Sequence, residues 1–475
     1  MKRPWVAVTA LALTAVTAAG AEKGARVLDV LEQRSDDFAR VARQIWGFAE
    51  VGYQEDKSSA LLQSQLKAAG FEVRSGVAGI PTAFVASWGQ GRPVVAFLAE
   101  YDALPGLSQD AVPERKPIVE GGPGHGCGHH LLGTASIAAA IAVREWLADA
   151  KRPGTLRVYG TPAEEGGSAK VYMVRDGLFE GVEAALAWHP ADHNAASTGS
   201  TLANISAKFR FRGVSAHASA APEQGRSALD GVEAMDAMVN MMREHLPESA
   251  RIHYVVTAGG KAPNVVPDFA EVYYVARHPD VAVLDTIWDR IVKAAQGAAL
   301  GTSTTVDHEV VAAVYNMLPN ERLASLQQKN LERVGGVVYT PEEEAFAARL
   351  RASLSDQTAP VGAQEKVQPI EVELGKASTD LSDVSWIVPT AELSAATWVP
   401  GTPAHSWQAV ACGGSGIGTK GMMVAAKALA LTAVDLFSDP SLVAAARAEF
   451  DAKRAGRTYR SRIGTRKPAL DYRKD

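Results

Sequence analysis

Cys127 and His129 lie two residues apart in the turn Gly124-His125-Gly126-Cys127-Gly128-His129-His130. Glycines on both sides of Cys127 let the backbone bend tightly around a small ion, because glycine adopts conformations that other residues avoid. A thiolate and an imidazole together suit zinc or a similar divalent metal. A buried cysteine and a capping histidine before a helix would give the same pattern, so this turn alone leaves both interpretations open.

Three later segments add candidate ligands, each directly after an apolar, strand-like run. They are Glu165 in Thr161-Pro162-Ala163-Glu164-Glu165-Gly166-Gly167, His189 in His189-Pro190, and His405 in Pro400-Gly401-Thr402-Pro403-Ala404-His405-Ser406. Because sites in open α/β sheets lie beyond the carboxyl ends of the strands, we expect these side chains to converge with Cys127 and His129. Thiolate, imidazole and carboxylate ligands suit zinc, manganese, cobalt or nickel better than calcium or magnesium.

Five candidate ligands exceed what one tetrahedral structural zinc needs. They fit two divalent ions, zinc or manganese, held about 3.5–4 Å apart with open positions for water and substrate. Glu164 and Glu165 are neighbours, so their side chains point to opposite sides of an extended backbone. We therefore assign Glu165 to the metal and Glu164 to the attacking water, as the general base that later protonates the leaving amine.

Asp102 follows another apolar run, in Glu100-Tyr101-Asp102-Ala103-Leu104-Pro105-Gly106. It would accept a hydrogen bond from a ligand histidine and so fix the tautomer of that ring. A turn cap before Pro105 is the alternative role of Asp102. Without the other segments, Glu164 and Glu165 would be interpreted as solvated turn residues.

The elements that must position these residues alternate between short apolar runs and amphipathic segments. Strands are expected at 82–87, 93–99, 156–160, 184–188 and 391–397, and helices at 27–49, 58–69 and 131–147. This alternation indicates an α/β domain whose strands end at the candidate site.

The pattern changes between residues 202 and 314. Strands are expected at 205–212, 251–257, 269–276 and 303–314, with helices at 226–246 and 281–300. This β-α-β-β-α-β order is typical of a ferredoxin-like α+β unit. We therefore expect a catalytic domain in two pieces, 22–201 and 315–452, interrupted by a second domain at 202–314. A basic surface arm follows at 453–475, for which contact with an anionic membrane is one open role.

Length and charge bound the class of protein. The chain has 475 residues, of which 47% are hydrophobic and 21% charged, so two globular domains are expected. The mild formal charge of −5 argues against nucleic acid as a partner. Residues 1–21 combine Lys2, Arg3, an apolar run and Ala19-Gly20-Ala21, which is typical of a signal peptide. We expect export to a periplasm, with a retained amino-terminal anchor as the alternative.

Together these motifs resemble a family of co-catalytic-metal amidohydrolases and exopeptidases that includes aminoacylases, hippurate hydrolases and plant indole-acetyl-amino-acid hydrolases. The resemblance is carried by Tyr101-Asp102-Ala103-Leu104-Pro105, Cys127-Gly128-His129, Pro162-Ala163-Glu164-Glu165-Gly166-Gly167, His189-Pro190 and Gly401-Thr402-Pro403-Ala404-His405. The members that act on p-aminobenzoyl-glutamate are resembled most, through Ser378-Thr379-Asp380, Asp383-Val384-Ser385-Trp386 and His405-Ser406-Trp407-Gln408. The resemblance implies a zinc-exopeptidase-like catalytic domain with an inserted lid domain that often mediates dimerisation.

The resemblance also implies residue roles. Cys127, His129, Glu165, His189 and His405 match the metal ligands of the family, and Glu164 matches its catalytic acid–base.

Three further matches lie in the inserted unit. His217, in Ser215-Ala216-His217-Ala218, matches a lid histidine that polarises the scissile carbonyl, often in the partner subunit's active site. Asn264 matches a residue near the substrate's carboxylate or oxyanion. Arg277 is a candidate carboxylate clamp, since its guanidinium can bind bidentately. By residue type alone, a loop histidine is the preferred interpretation of His217, and Arg277 is equally consistent with a surface charge.

Two features depart from the family pattern. His130 stands where many relatives carry an acidic or amide residue, and His125 adds a further imidazole, so the ligand set stays open. The export signal is the second departure. We expect a periplasmic homodimeric amidohydrolase that cleaves N-acyl amino acids, of the p-aminobenzoyl-glutamate kind, or small dipeptides. The alternatives are a non-hydrolytic binding protein for acylated amino acids and one subunit of a hetero-oligomeric hydrolase.

Overall fold

The computed structural model describes residues 24–474. Its strands are β1 (Glu72–Ser75), β2 (Phe84–Gln90), β3 (Val94–Ala99), β4 (Gly154–Gly160), β5 (Ala184–Ala191), β6 (Ala195–Ser197), β7 (Ala203–Arg212), β8 (Arg251–Ala258), β9 (Phe269–His278), β10 (Thr305–Val314) and β11 (Thr390–Ala396). After a helical run at 24–33, its helices are α1 (Ser35–Phe48), α2 (Asp56–Ala68), α3 (His129–Ala150), α4 (Ala169–Arg175), α5 (Ala228–Met242), α6 (Val281–Gly301), α7 (Glu321–Val334), α8 (Pro341–Arg351), α9 (Leu381–Ser385), α10 (Trp407–Gly413), α11 (Gly416–Ser438) and α12 (Pro440–Arg454). The signal peptide expected at residues 1–21 lies outside the described residues.

The catalytic domain is built on a seven-stranded sheet in the order β1-β2-β4-β3-β5-β11-β6. Its four central strands, β4, β3, β5 and β11, are parallel, whereas β1, β2 and β6 pair antiparallel to their neighbours. Parallel strands present their carboxyl ends at one edge of the sheet, so the segments that follow these four strands meet there. The α/β fold expected from the sequence is confirmed.

Helices α3 and α11 pack against each other and against this sheet. Their apolar side chains form the centre of the core, where Leu131, Ile137, Met422 and Leu429 have no exposed surface. Both helices are long and apolar enough to cross a membrane, but 83% of the most apolar stretch of each helix is buried inside the protein. Helices in the core of a globular domain meet the same criterion.

The inserted domain contains a four-stranded antiparallel sheet in the order β10-β7-β9-β8. Helices α5 and α6 pack on it, and its elements follow one another as β7-α5-β8-β9-α6-β10. Alternate residues of β7, among them Phe209 and Phe211, are fully buried with Met235 of α5 and Ile291 of α6. This is the ferredoxin-like arrangement that the element order predicts.

The carboxy-terminal segment, which the sequence predicts as a surface arm, makes specific contacts with the rest of the protein. Residues 455–474 lie along the surface of both domains, with Ile463 only 6% exposed and Tyr472 hydrogen-bonded to the backbone carbonyl of Glu165. The basic composition of the segment indicates solvation, but its arginines and tyrosines find acidic and carbonyl partners on the protein's own surface.

Candidate metal centre

The turn that carries Cys127 depends on its glycines. Gly128 has a φ of +76°, and a Cβ atom there would lie 2.7 Å from Cβ of Pro190, the residue after His189. A Cβ atom at Gly126 would lie 3.3 Å from Cα of His405. The glycines therefore let three ligand-bearing segments approach one another, as the sequence predicts for this turn.

The five candidate ligands come together at the carboxyl edge of the sheet in two overlapping groups. In one group, ligand atoms of Cys127, His129 and His189 lie within 4.8 Å of one another. In the other, Cys127, Glu165 and His405 satisfy the same condition. The thiol of Cys127 is common to both, which suits two neighbouring ions.

The donor atoms also fit a cation. Nε2 of His129 and Oε1 of Glu165 are buried and make no well-directed hydrogen bond, although Glu100 Oε2 lies 3.2 Å from the first atom and His405 Nε2 lies 2.9 Å from the second. Burial raises the pKa of the Cys127 thiol to about 12. A divalent ion beside this thiol would favour the thiolate, and the unsatisfied nitrogen and oxygen atoms would coordinate the ion.

Asp102 links the two groups. Its Oδ1 accepts a hydrogen bond from Nδ1 of His129 at 2.8 Å, and its Oδ2 accepts one from the backbone N–H of Glu165 at 2.9 Å. Burial favours the neutral acid, but the adjacent His129 holds the pKa of Asp102 below its usual value. The ionised carboxylate leaves Nε2 of His129 free for a metal, which is the role that the sequence predicts.

Glu164 and Glu165 point to different neighbours. The Glu165 carboxylate lies with Cys127 and His405, whereas the Glu164 carboxylate lies within 4.8 Å of ligand atoms of Glu100 and His129. Burial, together with the charge of Glu100, raises the pKa of Glu164 well above its usual value. A carboxyl group with a raised pKa can both take and return a proton near neutral pH.

The two loops that carry Glu165 and His405 have strained backbone conformations, and hydrogen bonds to other segments hold them in place. Ala163 and His405 have φ values of +55° and +58°, in the left-handed region that costs non-glycine residues about 1–2 kcal/mol. The N–H of Ala163 donates to Oε1 of the buried Glu55 at 2.9 Å. The N–H of His405 donates to the carbonyl of Gly126 at 2.9 Å, which joins this loop to the Cys127 turn.

Sequence reasoning missed a buried ion cluster beside Glu164. Lys170 has no exposed surface, and its Nζ lies 2.7 Å from Oε1 of Glu100 and 2.6 Å from Oδ1 of Asp380. Burial alone would lower the pKa of Lys170, but Asp380 and Glu100 raise it, so the side chain is charged. A lysine within the apolar run of α4, and a carboxylate directly after buried β3, are the signals that could have indicated the cluster.

His125 and His130 belong to neither ligand group. Both are buried, and their Nε2 atoms donate to the carbonyls of Ile45 and Gly413, each at 3.1 Å. Burial lowers the pKa of His125 to about 4, so this ring is neutral. The two rings therefore tether the ligand turn to α1 and α10.

The three predicted lid residues make no hydrogen bond or ion pair with the ligand groups in the described part of the chain. His217 and Asn264 are exposed and adjacent, since the N–H of Ala218 donates to the carbonyl of Asn264 at 3.0 Å. Among residues 24–474, no hydrogen bond or ion pair joins either side chain to the five ligands. Arg277 lies at the boundary between the domains, where its Nη1 donates to Oγ of Ser378 at 3.0 Å.

Comparisons with known proteins agree with this geometry. Residues 96–406 match the model of the peptidase family M20/M25/M40. The chain is 43% identical over 442 residues to the B subunit of p-aminobenzoyl-glutamate hydrolase from Escherichia coli (strain K12), covering 87% of this chain and 92% of that protein. It is 29% identical over 444 residues to Xaa-Arg dipeptidase of Mus musculus, covering 90% of this chain and 92% of that protein.

A solved structure shows the same fold. A dinuclear metal-binding peptidase of the M20 family from Bacillus subtilis aligns with a TM-score of 0.60 and 16% identity, covering 86% of this chain and 99% of that one. The family match covers the segments that carry all five candidate ligands. The chain therefore belongs to the peptidase family M20/M25/M40, and its relatives are named as hydrolases of amide bonds.

Proposed function

We propose that this protein is a two-metal amidohydrolase that releases an amino acid from an N-acyl amino acid or a small dipeptide. The observation that carries the proposal is the pair of ligand groups that share Cys127, with Glu164 beside them. Cys127, His129 and His189 would hold one divalent ion, and Cys127, Glu165 and His405 the other. Zinc and manganese both suit this donor set.

The residues of the site divide the chemistry between them. When bound, the ions would polarise the scissile carbonyl and lower the pKa of water in the site. A carboxylate oxygen of Glu164 would take a proton from the attacking water and deliver it to the nitrogen of the leaving amine. Asp102 would hold His129 in one tautomer, and His217 would donate to the developing oxyanion, as the family resemblance implies.

The substrate class is supported by two of the relatives. p-Aminobenzoyl-glutamate hydrolase and Xaa-Arg dipeptidase are both named for amides with an amino acid on the amine side of the bond. Arg277, at the boundary between the domains, would bind the carboxylate of that amino acid, with Asn264 nearby in the assembled site. We therefore propose p-aminobenzoyl-glutamate and related N-acyl amino acids as the first candidates.

We further propose a homodimer formed through the lid. β8 is the last strand of its sheet, and its side chains Val255 and Val256 are 56% and 42% exposed. Met241 of α5 is 70% exposed. In such a dimer, His217 would act in the partner's site, as the family resemblance implies. The Escherichia coli relative is named as one subunit of its enzyme, which supports the alternative of a partner of different sequence. The mass of the purified protein separates the two assemblies.

The location of the protein is also a proposal. The pattern of residues 1–21 supports export to a periplasm. Fractionation of expressing cells tests it, because a cytoplasmic full-length product would contradict export.

The function is tested by hydrolysis of a panel of N-acyl amino acids and dipeptides, including p-aminobenzoyl-glutamate. The protein is first stripped with a chelator and then loaded with zinc or manganese. Cleavage that stops with the chelator and returns with metal supports the proposal. Binding of panel members without cleavage by the metal-loaded protein favours the alternative of a binding protein. Absence of both cleavage and binding by protein that still holds two ions favours a missing partner subunit.

A further inference from the structure

Residues 455–474, here called the carboxy-terminal strap, follow α12 and contact both domains. At the domain junction, Oη of Tyr459 donates to Oδ1 of Asp383 at 2.7 Å, directly beside the point where the chain returns from the lid. Oη of Tyr315, the first residue after β10, donates to the carbonyl of Arg460 at 3.0 Å. The strap is thus hydrogen-bonded to the junction between the domains.

The next part of the strap is bound to the lid by two arginines. Arg462 forms an ion pair with Asp285 of α6, and Arg466 forms one with Glu309 of β10. The side chain of Arg462 is only 10% exposed. Ile463, between them, is 6% exposed. The strap is therefore docked on the lid at Arg462, Ile463 and Arg466.

The strap ends on the loop that carries Glu164 and Glu165. Oη of Tyr472 and Nη2 of Arg473 both donate to the carbonyl oxygen of Glu165, each at 3.0 Å. The Tyr472 ring packs edge-on against Tyr53, with ring centroids 5.5 Å apart. A Cβ atom at Gly52 would lie 2.1 Å from Oη of Tyr472, so the protein surface is shaped to admit this tyrosine.

We propose that the strap positions the metal ligand Glu165 through Tyr472 and Arg473. Asp102 holds the N–H of Glu165 from the inner side, and the strap holds its carbonyl from the outer side. The next residue, Gly166, has a φ of +100°, and Gly167 follows it, so the chain beyond Glu165 has little stiffness of its own. Anchors on both sides of the residue therefore direct its carboxylate towards Cys127 and His405.

This inference rests on the proposed function, since it takes Glu165 as a metal ligand. Tyr472 and Arg473 are positioning residues, because they touch the backbone of a ligand and neither the substrate nor the reacting atoms. Their effect should therefore appear first in metal affinity and only through it in turnover.

The test uses the full-length double variant Tyr472→Phe/Arg473→Met, which keeps the ring packing and removes both donors. Affinity for zinc and manganese is measured by competition with a chromogenic chelator, together with the number of ions bound. We expect the affinity for one of the two ions to fall by about 10- to 100-fold, the usual effect of losing outer partners of a ligand. Thermal unfolding of the metal-free variant should remain cooperative, with its midpoint lowered only by the loss of these two hydrogen bonds.

Two further variants make the result specific. Tyr459→Phe removes a hydroxyl from the same strap at the domain junction and should leave metal affinity unchanged. Arg473→Lys keeps a positively charged donor at this position, and with Tyr472 intact it should retain most of the affinity. If the double variant unfolds, the single variants Tyr472→Phe and Arg473→Met are measured instead, and each should show a smaller loss.

Wild-type affinity for both ions in the double variant would overturn the inference, and so would an equal loss in Tyr459→Phe. A wild-type protein that binds no metal would overturn both the inference and the proposed function. A third outcome is that the wild type binds two ions and the double variant only one, while the wild type cleaves no substrate. That outcome would refute the proposed function alone.

Discussion

Replacing Asp102 by asparagine should weaken the binding of at least one of the two metal ions. Asp102 accepts one hydrogen bond from His129, in the first ligand group, and one from the N–H of Glu165, in the second. Asparagine has the same size but offers one accepting oxygen, so its amide N–H₂ must face one of these two donors. Either ring orientation at His129 or the loop at Glu165 loses its anchor.

The magnitude follows from these two contacts. Both are of normal length, at 2.8 and 2.9 Å, and Asp102 is only 1% exposed, so solvent cannot replace a lost partner. Loss of an outer partner of a metal ligand reduces affinity by about 10- to 100-fold. That range corresponds to about 1.4–2.7 kcal/mol of binding free energy. Hydrolysis at saturating metal should fall less than hydrolysis at limiting metal.

Chelator competition measures the affinity of the purified protein for zinc and manganese. Asp110→Asn is the matched control, because Asp110 also accepts a backbone N–H, from Ala111 at 2.8 Å, and binds Lys116. Asp110 lies outside both ligand groups, so its variant should bind metal as the wild type does. Equal affinities for Asp102→Asn and wild type would refute the role of Asp102.

Two further predictions concern stability. Lys170→Met should destabilise the fold by about 3–5 kcal/mol, because it leaves buried Glu100 and Asp380 without their cation. Urea unfolding measures this loss, and Lys116→Met on the surface is the control. An unchanged unfolding midpoint in Lys170→Met would contradict the ion cluster. Hydrogen bonds to Asp192 and Glu371 raise the pKa of His193 to about 10, whereas an unfolded histidine titrates at about 6.5. This histidine therefore contributes its full stability below the unfolded pKa and loses it as the pH rises through the folded one. Across this pH range, the midpoint temperature of thermal unfolding should fall more steeply with rising pH for the wild type than for His193→Gln. Equal slopes would contradict the ion pairs.

The grouping of the five candidate ligands could be predicted from the sequence because the signals that mark them are local. Cys127, His129, Glu165, His189 and His405 each lie near the end of an apolar run or in a glycine turn. The parallel order of the strands then brings such residues to one edge of the sheet. The ferredoxin-like unit could also be predicted from the sequence, because apolar residues recur with different periods in its strands and in its amphipathic helices.

Contacts between distant segments could not be predicted in the same way. Lys170 and Asp380 are 210 residues apart, and composition alone describes each as a solvated charge. The strap likewise appears in the sequence as a basic tail, because the partners of Tyr472 and Arg473 lie on a loop more than 300 residues earlier. Only the folded chain shows that these charges are satisfied internally.

The central claim is that Glu164 acts as a base beside two metal ions that other residues hold. The most direct test is Glu164→Gln, with metal content and hydrolysis of the preferred substrate measured on the same preparation. The account predicts that two ions remain bound while turnover falls by about a hundred- to ten-thousand-fold, the usual contribution of a general base. Hydrolysis at the wild-type rate with both ions bound would contradict it.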